Sequence, residues 1–245
     1  KNHKLKKINN KEFAYTFRNV QEKQDFQLTA QDVNSGTYEL TTIPKPSLLG
    51  FDLKIDYPNY TGIKDETIKN IGDVVIPEGT IIKWVFNTKN TKQITFKMTD
   101  TTLLLKPLGA NSFEVENQFF ENADYAIATE NEFTVGKDSI NYYVTVSKDK
   151  YPGINVEESQ DSVNSLIHYY NGNVTDDYGF SKLVFNYQII NEEGKVRDSK
   201  SDGLAVYKAL NKDQFFHFFN LSTLGLQPGE TVSYTFQIWD NEGSS

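Results

Sequence analysis

Asp176, Asp177, Asp240 and Glu242 are the side chains whose types and placement best suit chemistry, because each falls in a turn at the end of a strand-like run. Turns of that kind between domains can gather oxygen ligands for calcium. Their spacing matches no calcium-binding loop, so the plainer reading is turn chemistry, in which short carboxylates accept hydrogen bonds from turn amides. The chain holds 3 His, 33 Asp+Glu and no Cys. His3, His168 and His217 stand far apart in the sequence, without a carboxylate at ligand spacing, and structural roles are expected for all of them. The lack of Cys removes disulfides, zinc–thiolate sites and thiol nucleophiles together. No Gly-x-Ser-x-Gly elbow, phosphate loop or His-Glu-x-x-His pattern occurs. Abundant carboxylates do not by themselves mark the pair that a glycosidase needs. The sequence therefore reads as non-enzymatic, with no catalytic, cofactor-binding or metal-binding residue assigned and no cofactor required.

Two tryptophans remain. Trp84 is in register with Ile82 and Phe86 and belongs to a core. If Val232, Tyr234, Phe236 and Ile238 face inward, alternation sends Trp239 outward beside the turn at Asp240. There it could pack on a neighbouring domain, return to the core through a bulge, or stack on a sugar. The first two are favoured, and a carbohydrate-binding or adhesive module stands as the alternative function.

The elements that position these residues are strands. Apolar residues alternate with period two in Leu49, Phe51, Leu53, Ile55 and Tyr57, in Ile82, Trp84 and Phe86, and in Ile94, Phe96 and Met98. Ile140, Tyr142, Val144 and Val146 continue the pattern, as do Leu183, Phe185, Tyr187 and Ile189. Phe215-Phe216-His217-Phe218-Phe219 is apolar on both faces, which suggests a doubly buried strand or an edge against another domain. Turn residues such as Pro77-Glu78-Gly79 and Pro228-Gly229 separate the runs, and Gly79 is free to take a positive φ. The chain of 245 residues is 38% hydrophobic and 13% aromatic, enough to build cores. Its net charge of −8 repels a phosphate backbone and anionic lipid, so neither nucleic acid nor direct membrane contact is expected. No apolar run approaches the roughly 20 residues needed to cross a bilayer.

A repeat sets the organisation. Phe13 matches Phe113, Asp25-Phe26-Gln27-Leu28 matches Asp124-Tyr125-Ala126-Ile127, and Tyr38 and Leu40 match Tyr142 and Val144, all in the same order. Phe236-Gln237-Ile238 follows as a third strand of the same kind. A period of about 100 residues is the length of an immunoglobulin-type sandwich. The expected architecture is all-β: residues 1–45 as the C-terminal part of a preceding sandwich, then tandem immunoglobulin or fibronectin III-like sandwiches at 46–149 and 150–245. Pro44, Pro46 and Pro152 make the junctions short and stiff.

Two resemblances add to this reading. Leu226-Gln227-Pro228-Gly229 leading into Tyr234 and Phe236 is similar to the entry into a late strand of fibronectin type III domains, with Val232 near the position of that family's tyrosine. Tyr57-Pro58-Asn59-Tyr60-Thr61-Gly62, Gly72-Asp73-Val74-Val75-Ile76-Pro77-Glu78-Gly79-Thr80 and Asp176-Asp177-Tyr178-Gly179-Phe180 together resemble a family of large membrane-anchored proteins of Bacteroidetes-type Gram-negative bacteria. That resemblance implies immunoglobulin-like repeats on the periplasmic or extracellular side of the cell envelope, anchored by membrane helices elsewhere in the protein. It implies no assigned activity. The expected role is a structural or protein-interaction region whose partners are other domains of the same polypeptide and envelope proteins, with a glycan as the alternative.

Overall fold

Strands with alternating apolar residues can shed water only by facing another sheet. In the computed structural model, which describes residues 1–134 and 139–243, the chain does this twice after a strand-poor start. In that first segment β1 (Lys6–Lys7) pairs with β2 (Phe13–Ala14). The strands β3 (Gln24–Phe26), β4 (Thr29–Ala30), β5 (Val33–Asn34) and β6 (Tyr38–Leu40) make two more ribbons, β3–β6 and β4–β5. Their rings form a row in which neighbouring centroids from Tyr15 to Phe17, Phe26 and Tyr38 lie 4.9, 5.1 and 5.4 Å apart.

The first sandwich comprises β7 (Ser47–Asp56), β8 (Glu66–Lys69), β9 (Val74–Pro77), β10 (Ile81–Lys89), β11 (Gln93–Met98), β12 (Thr101–Leu105), β13 (Ser112–Gln118), β14 (Ala123–Glu130) and β15 (Ser139–Ser147). One sheet has the order β13-β10-β7-β8 and the other β12-β11-β14-β15-β9. Among the described residues only β9 runs parallel to its neighbour, β15. Counted as β7, β10, β11, β12, β13, β14 and β15, the first, second and fifth strands thus share one sheet and the third, sixth and seventh the other, as in immunoglobulin domains. Trp84 sits at the centre with no exposed surface, its ring 5.2 Å from both Phe96 and Tyr125. Gly79 takes φ 83° in the turn that launches β10.

Two strands depart from simple alternation. Leu49, expected inward, is 65% exposed, because a bulge between Asn87 and Thr88 slips the register of β7 and turns Leu48 to the core instead. Ile140, at the start of β15, is also largely exposed, while Val144 and Val146 are buried. A pairing relation accompanies the sequence match noted above. Gln24, Asp25 and Phe26 face Leu40, Glu39 and Tyr38, and their matched positions Ala123, Asp124 and Tyr125 face Val144, Tyr143 and Tyr142.

The second sandwich packs β16 (Gly153–Gln160), β17 (Ile167–Thr175) and β20 (Lys212–Asn220) against β18 (Phe180–Ile190), β19 (Val196–Leu204) and β21 (Thr231–Asp240). The sheet orders are β16-β17-β20 and β19-β18-β21. The doubly apolar run Phe215–Phe219 proves to be the edge strand β20. Phe215 and Phe219 are buried in it, whereas Phe216 and Phe218 point out of the sheet and are not covered. Among the described residues β21 pairs with β18 alone, while its counterpart β14 lies between β11 and β15.

Candidate functional site

The turns at the end of the second sandwich that meets the first bring together residues far apart in sequence. Asp176 and Asp177 occupy the β17–β18 turn, Asp240 closes β21, Glu242 follows it, and Asp149 stands in the connector after β15. The sequence singled out four of these five. Asp149 was missed because it lies in what read only as a stiff linker. From the first sandwich Tyr60 reaches the same place, its ring 5.3 Å from that of Tyr178 and edge-on to it.

Local hydrogen bonds fix the site. Asp176 accepts the Tyr178 amide at 2.9 Å, as a turn carboxylate should. The Asn211 side chain donates to the Asp177 carbonyl at 2.6 Å, and that of Asn241 donates to the Tyr178 carbonyl at 2.6 Å. The same Asn241 amide lies 3.4 Å from the Tyr60 carbonyl, a polar link between the sandwiches. Gly179 has φ 97°, and a Cβ there would lie 2.5 Å from the Lys208 carbonyl, so this turn admits little else. The connector is held at its start, where Lys148 Nζ lies 3.0 Å from Glu78 and 2.6 Å from Glu121 and donates to the Phe120 carbonyl.

Nearby negative charge and burial raise a carboxyl's proton affinity. Burial, and then the charges of Asp177, Asp240, Glu242 and Asp176, push the Asp149 carboxyl up to about 6. Asp176 is raised too, mainly by burial. Burial and the charges of Asp149 and Glu242 hold the Tyr60 hydroxyl firmly in its neutral form. Asp149 Oδ1, Asp176 Oδ1 and Asp177 Oδ1 are shielded from solvent and accept no hydrogen bond from the described residues. Even so, no group of three or more His, Asp or Glu among the described residues is arranged to hold a metal ion. These acids share a field without sharing a coordination sphere. What they can do is draw cations to the junction, and Asp149 among them can hold a proton up to about pH 6.

The other candidates lie elsewhere. Trp239 faces outward and is half-buried, with Lys182 Nζ 4.6 Å above its ring centroid. A bulge does occur beside it, between Phe180 and Lys182 of β18, but it does not return Trp239 to the core. His168 has a carboxylate neighbour that its sequence context concealed. Its Nδ1 lies 2.5 Å from Glu158 Oε1, and the Tyr234 hydroxyl donates to Glu158 Oε2 at 2.6 Å. Glu158 thereby ties β16 in one sheet to β21 in the other, and these bonds hold its carboxyl below the usual range. His217 lies 4.3 Å from the Phe185 ring, and burial lowers its proton affinity. His3 lies against Tyr15 in the first segment.

No family model and no curated protein matches the chain. Among solved structures, a chicken TCR is similar at 12% identity and a TM-score of 0.25, covering 65% of this chain and 92% of that one. SGBP-B of the Bacteroides ovatus mixed-linkage glucan utilization locus, solved with a mixed-linkage heptasaccharide, is similar at 10% identity and a TM-score of 0.21. That alignment covers 88% of this chain, which spans 63% of the other protein's length. Strand order and register, rather than these distant likenesses, define the fold described above.

Proposed function

We propose that this chain is a non-enzymatic spacer and protein-interaction region of a larger cell-envelope protein, in which immunoglobulin-like sandwiches are joined end to end. The observation that carries the reading is the junction. Its connector is only a few residues long, Lys148 pins one end, and Tyr60 meets Tyr178 and Asn241 across the gap. Such a joint limits bending, which is what a spacer needs and what a flexible linker would not supply. The equal pairing of β3–β6 and β14–β15 supports a recurring unit along the polypeptide. A non-enzymatic role is supported by the histidines, which are dispersed and engaged with Glu158, Phe185 and Tyr15.

No helix among the described residues is long and apolar enough to cross a membrane. The envelope reading places the membrane helices elsewhere in the protein, as the sequence resemblance implies. Small-angle scattering of the chain tests the spacer. An elongated particle is expected, and a compact particle with the two sandwiches side by side would overturn the reading.

A further inference from the structure

The outward face of the β16–β17–β20 sheet has no part in either core or in the junction. Alternation turns Tyr169 outward from β17, and the register sets it beside Phe218 with Phe216 one row along. The Phe216 and Phe218 rings are 59% and 48% exposed, and their centroids lie 6.1 and 5.6 Å from that of Tyr169. The next rows of the same face are amides, with Asn171 beside Phe216 and with Asn155, Asn173 and Gln214 in line across all three strands. Gln214 Nε2 donates to Asn173 Oδ1 at 3.0 Å, which orients both groups and leaves the Asn173 amino group and the Gln214 carbonyl turned to other partners. With strands about 4.8 Å apart and alternate residues about 7 Å apart, rings and amides tile a platform roughly 10 Å by 14 Å.

We propose that this face binds a neutral oligosaccharide chain, whose sugar C–H faces stack on Tyr169, Phe216 and Phe218 and whose hydroxyls bond to Asn155, Asn171, Asn173 and Gln214. Charge narrows the choice of ligand. On a chain of net charge −8 the platform offers no cluster of cations for an acidic polymer: it carries Lys212 and Glu157, and Asp161 accepts from the Tyr169 hydroxyl at 3.4 Å. Polarity narrows it further. A protein surface that covered the platform would have to supply partners for four adjacent amides or leave them buried and unpaired. A sugar ring meets both demands at once, being apolar on its faces and rich in donors and acceptors around its rim. Trp239, the sequence's own candidate for sugar stacking, has Lys182 over one face of its ring.

This proposal goes beyond the spacer reading, and the two fail separately, since the shape of the particle does not depend on the platform. Affinity electrophoresis of the whole chain in gels containing xylan, galactomannan, dextran or amylose tests it, with polygalacturonate as the acidic control. Retardation by at least one neutral polysaccharide is expected and none by the control. The Phe216→Ala/Phe218→Ala variant should weaken binding at least tenfold while keeping the parental thermal transition, because both rings are exposed. Asn173→Ala should weaken it several-fold, and Trp239→Ala should leave it unchanged. The proposal is overturned if no neutral polysaccharide retards the chain, or if the double variant binds as the parent does. It is equally overturned if the double variant abolishes self-association of a chain that binds no polysaccharide, since the face would then be a protein interface.

Discussion

The two sandwiches bury similar strands in different ways. In the first, Trp84, Phe96, Phe119 and Tyr125 belong to one continuous core, and β14 is flanked on both sides, so the aromatic centre is sealed in every direction. In the second, the buried residues fall into two smaller clusters that share Val156, Leu204 and Phe236 at their margins. There, among the described residues, β21 pairs with one neighbour, and Tyr234 on that strand is 37% exposed, where Tyr125 on β14 is 1% exposed. The polar bridge from Tyr234 through Glu158 to His168 stands between the two sheets at that seam. Both are held by packing; the first adds a buried bond from the Tyr125 hydroxyl to the Gly72 carbonyl at 2.8 Å, and the second a clasp that runs from sheet to sheet.

The difference has measurable consequences. Truncating Trp84 to Ala should cost the first sandwich about 3–5 kcal/mol and remove its unfolding transition while the second persists, as followed by chemical denaturation. A loss shared equally by both sandwiches would show that they fold as one unit. Cutting the clasp with Glu158→Ala leaves Tyr234 and His168 without their acceptor and should cost the second sandwich about 1–2 kcal/mol, with no effect on the first. The pH dependence of that bridge has a definite sign. Because the folded carboxyl lies below its unfolded value, its contribution is present above the unfolded value of about 4.3 and fades as pH falls through the folded one. Acid titration should therefore loosen the second sandwich before the first, and the Glu158→Ala variant should lose that order.

Asp149 behaves in the opposite sense. Its folded carboxyl is raised to about 6, so the folded state binds the proton more tightly, and stability falls as pH rises from about 4 to 6. Asp149→Asn should raise stability by ~1 kcal/mol at pH 7.5, once solvent screening is allowed for, and by almost nothing at pH 4, as read from thermal melts at both. The smallest effect belongs to the platform. Phe216→Ala and Phe218→Ala should each change stability by no more than about 0.5 kcal/mol, because neither ring is in a core.

Much of the first sandwich was legible in the sequence because alternation is local. Ile82, Trp84 and Phe86, or Ile94 and Phe96, need only their own strand to declare which way they face. Leu49 misled because it is the extra residue of a bulge, unpaired between Gly50 and Leu48, which face consecutive residues of β10, and simple alternation assumes a strand without one. The clasp was hidden for a related reason. Glu158 and His168 meet only through the register fixed by the turn between β16 and β17, where Asp161 accepts the amides of Val163 and Asn164. At the junction the sequence marked the acids of the turns but not Asp149, whose environment exists only once two sandwiches meet. The platform was missed because an apolar residue in a strand is first counted toward a core, and Phe215 to Phe219 supply both faces at once.

In the spacer proposed here the junction holds the two sandwiches in one orientation. Because the chain has no Cys, Lys97→Cys and Lys200→Cys would place a single pair of spin labels on exposed strands of different sandwiches. Dipolar distance measurement on that pair should give one narrow distribution, broadened by Tyr60→Ala with Asn241→Ala. A broad distribution in the otherwise unaltered chain would contradict the account.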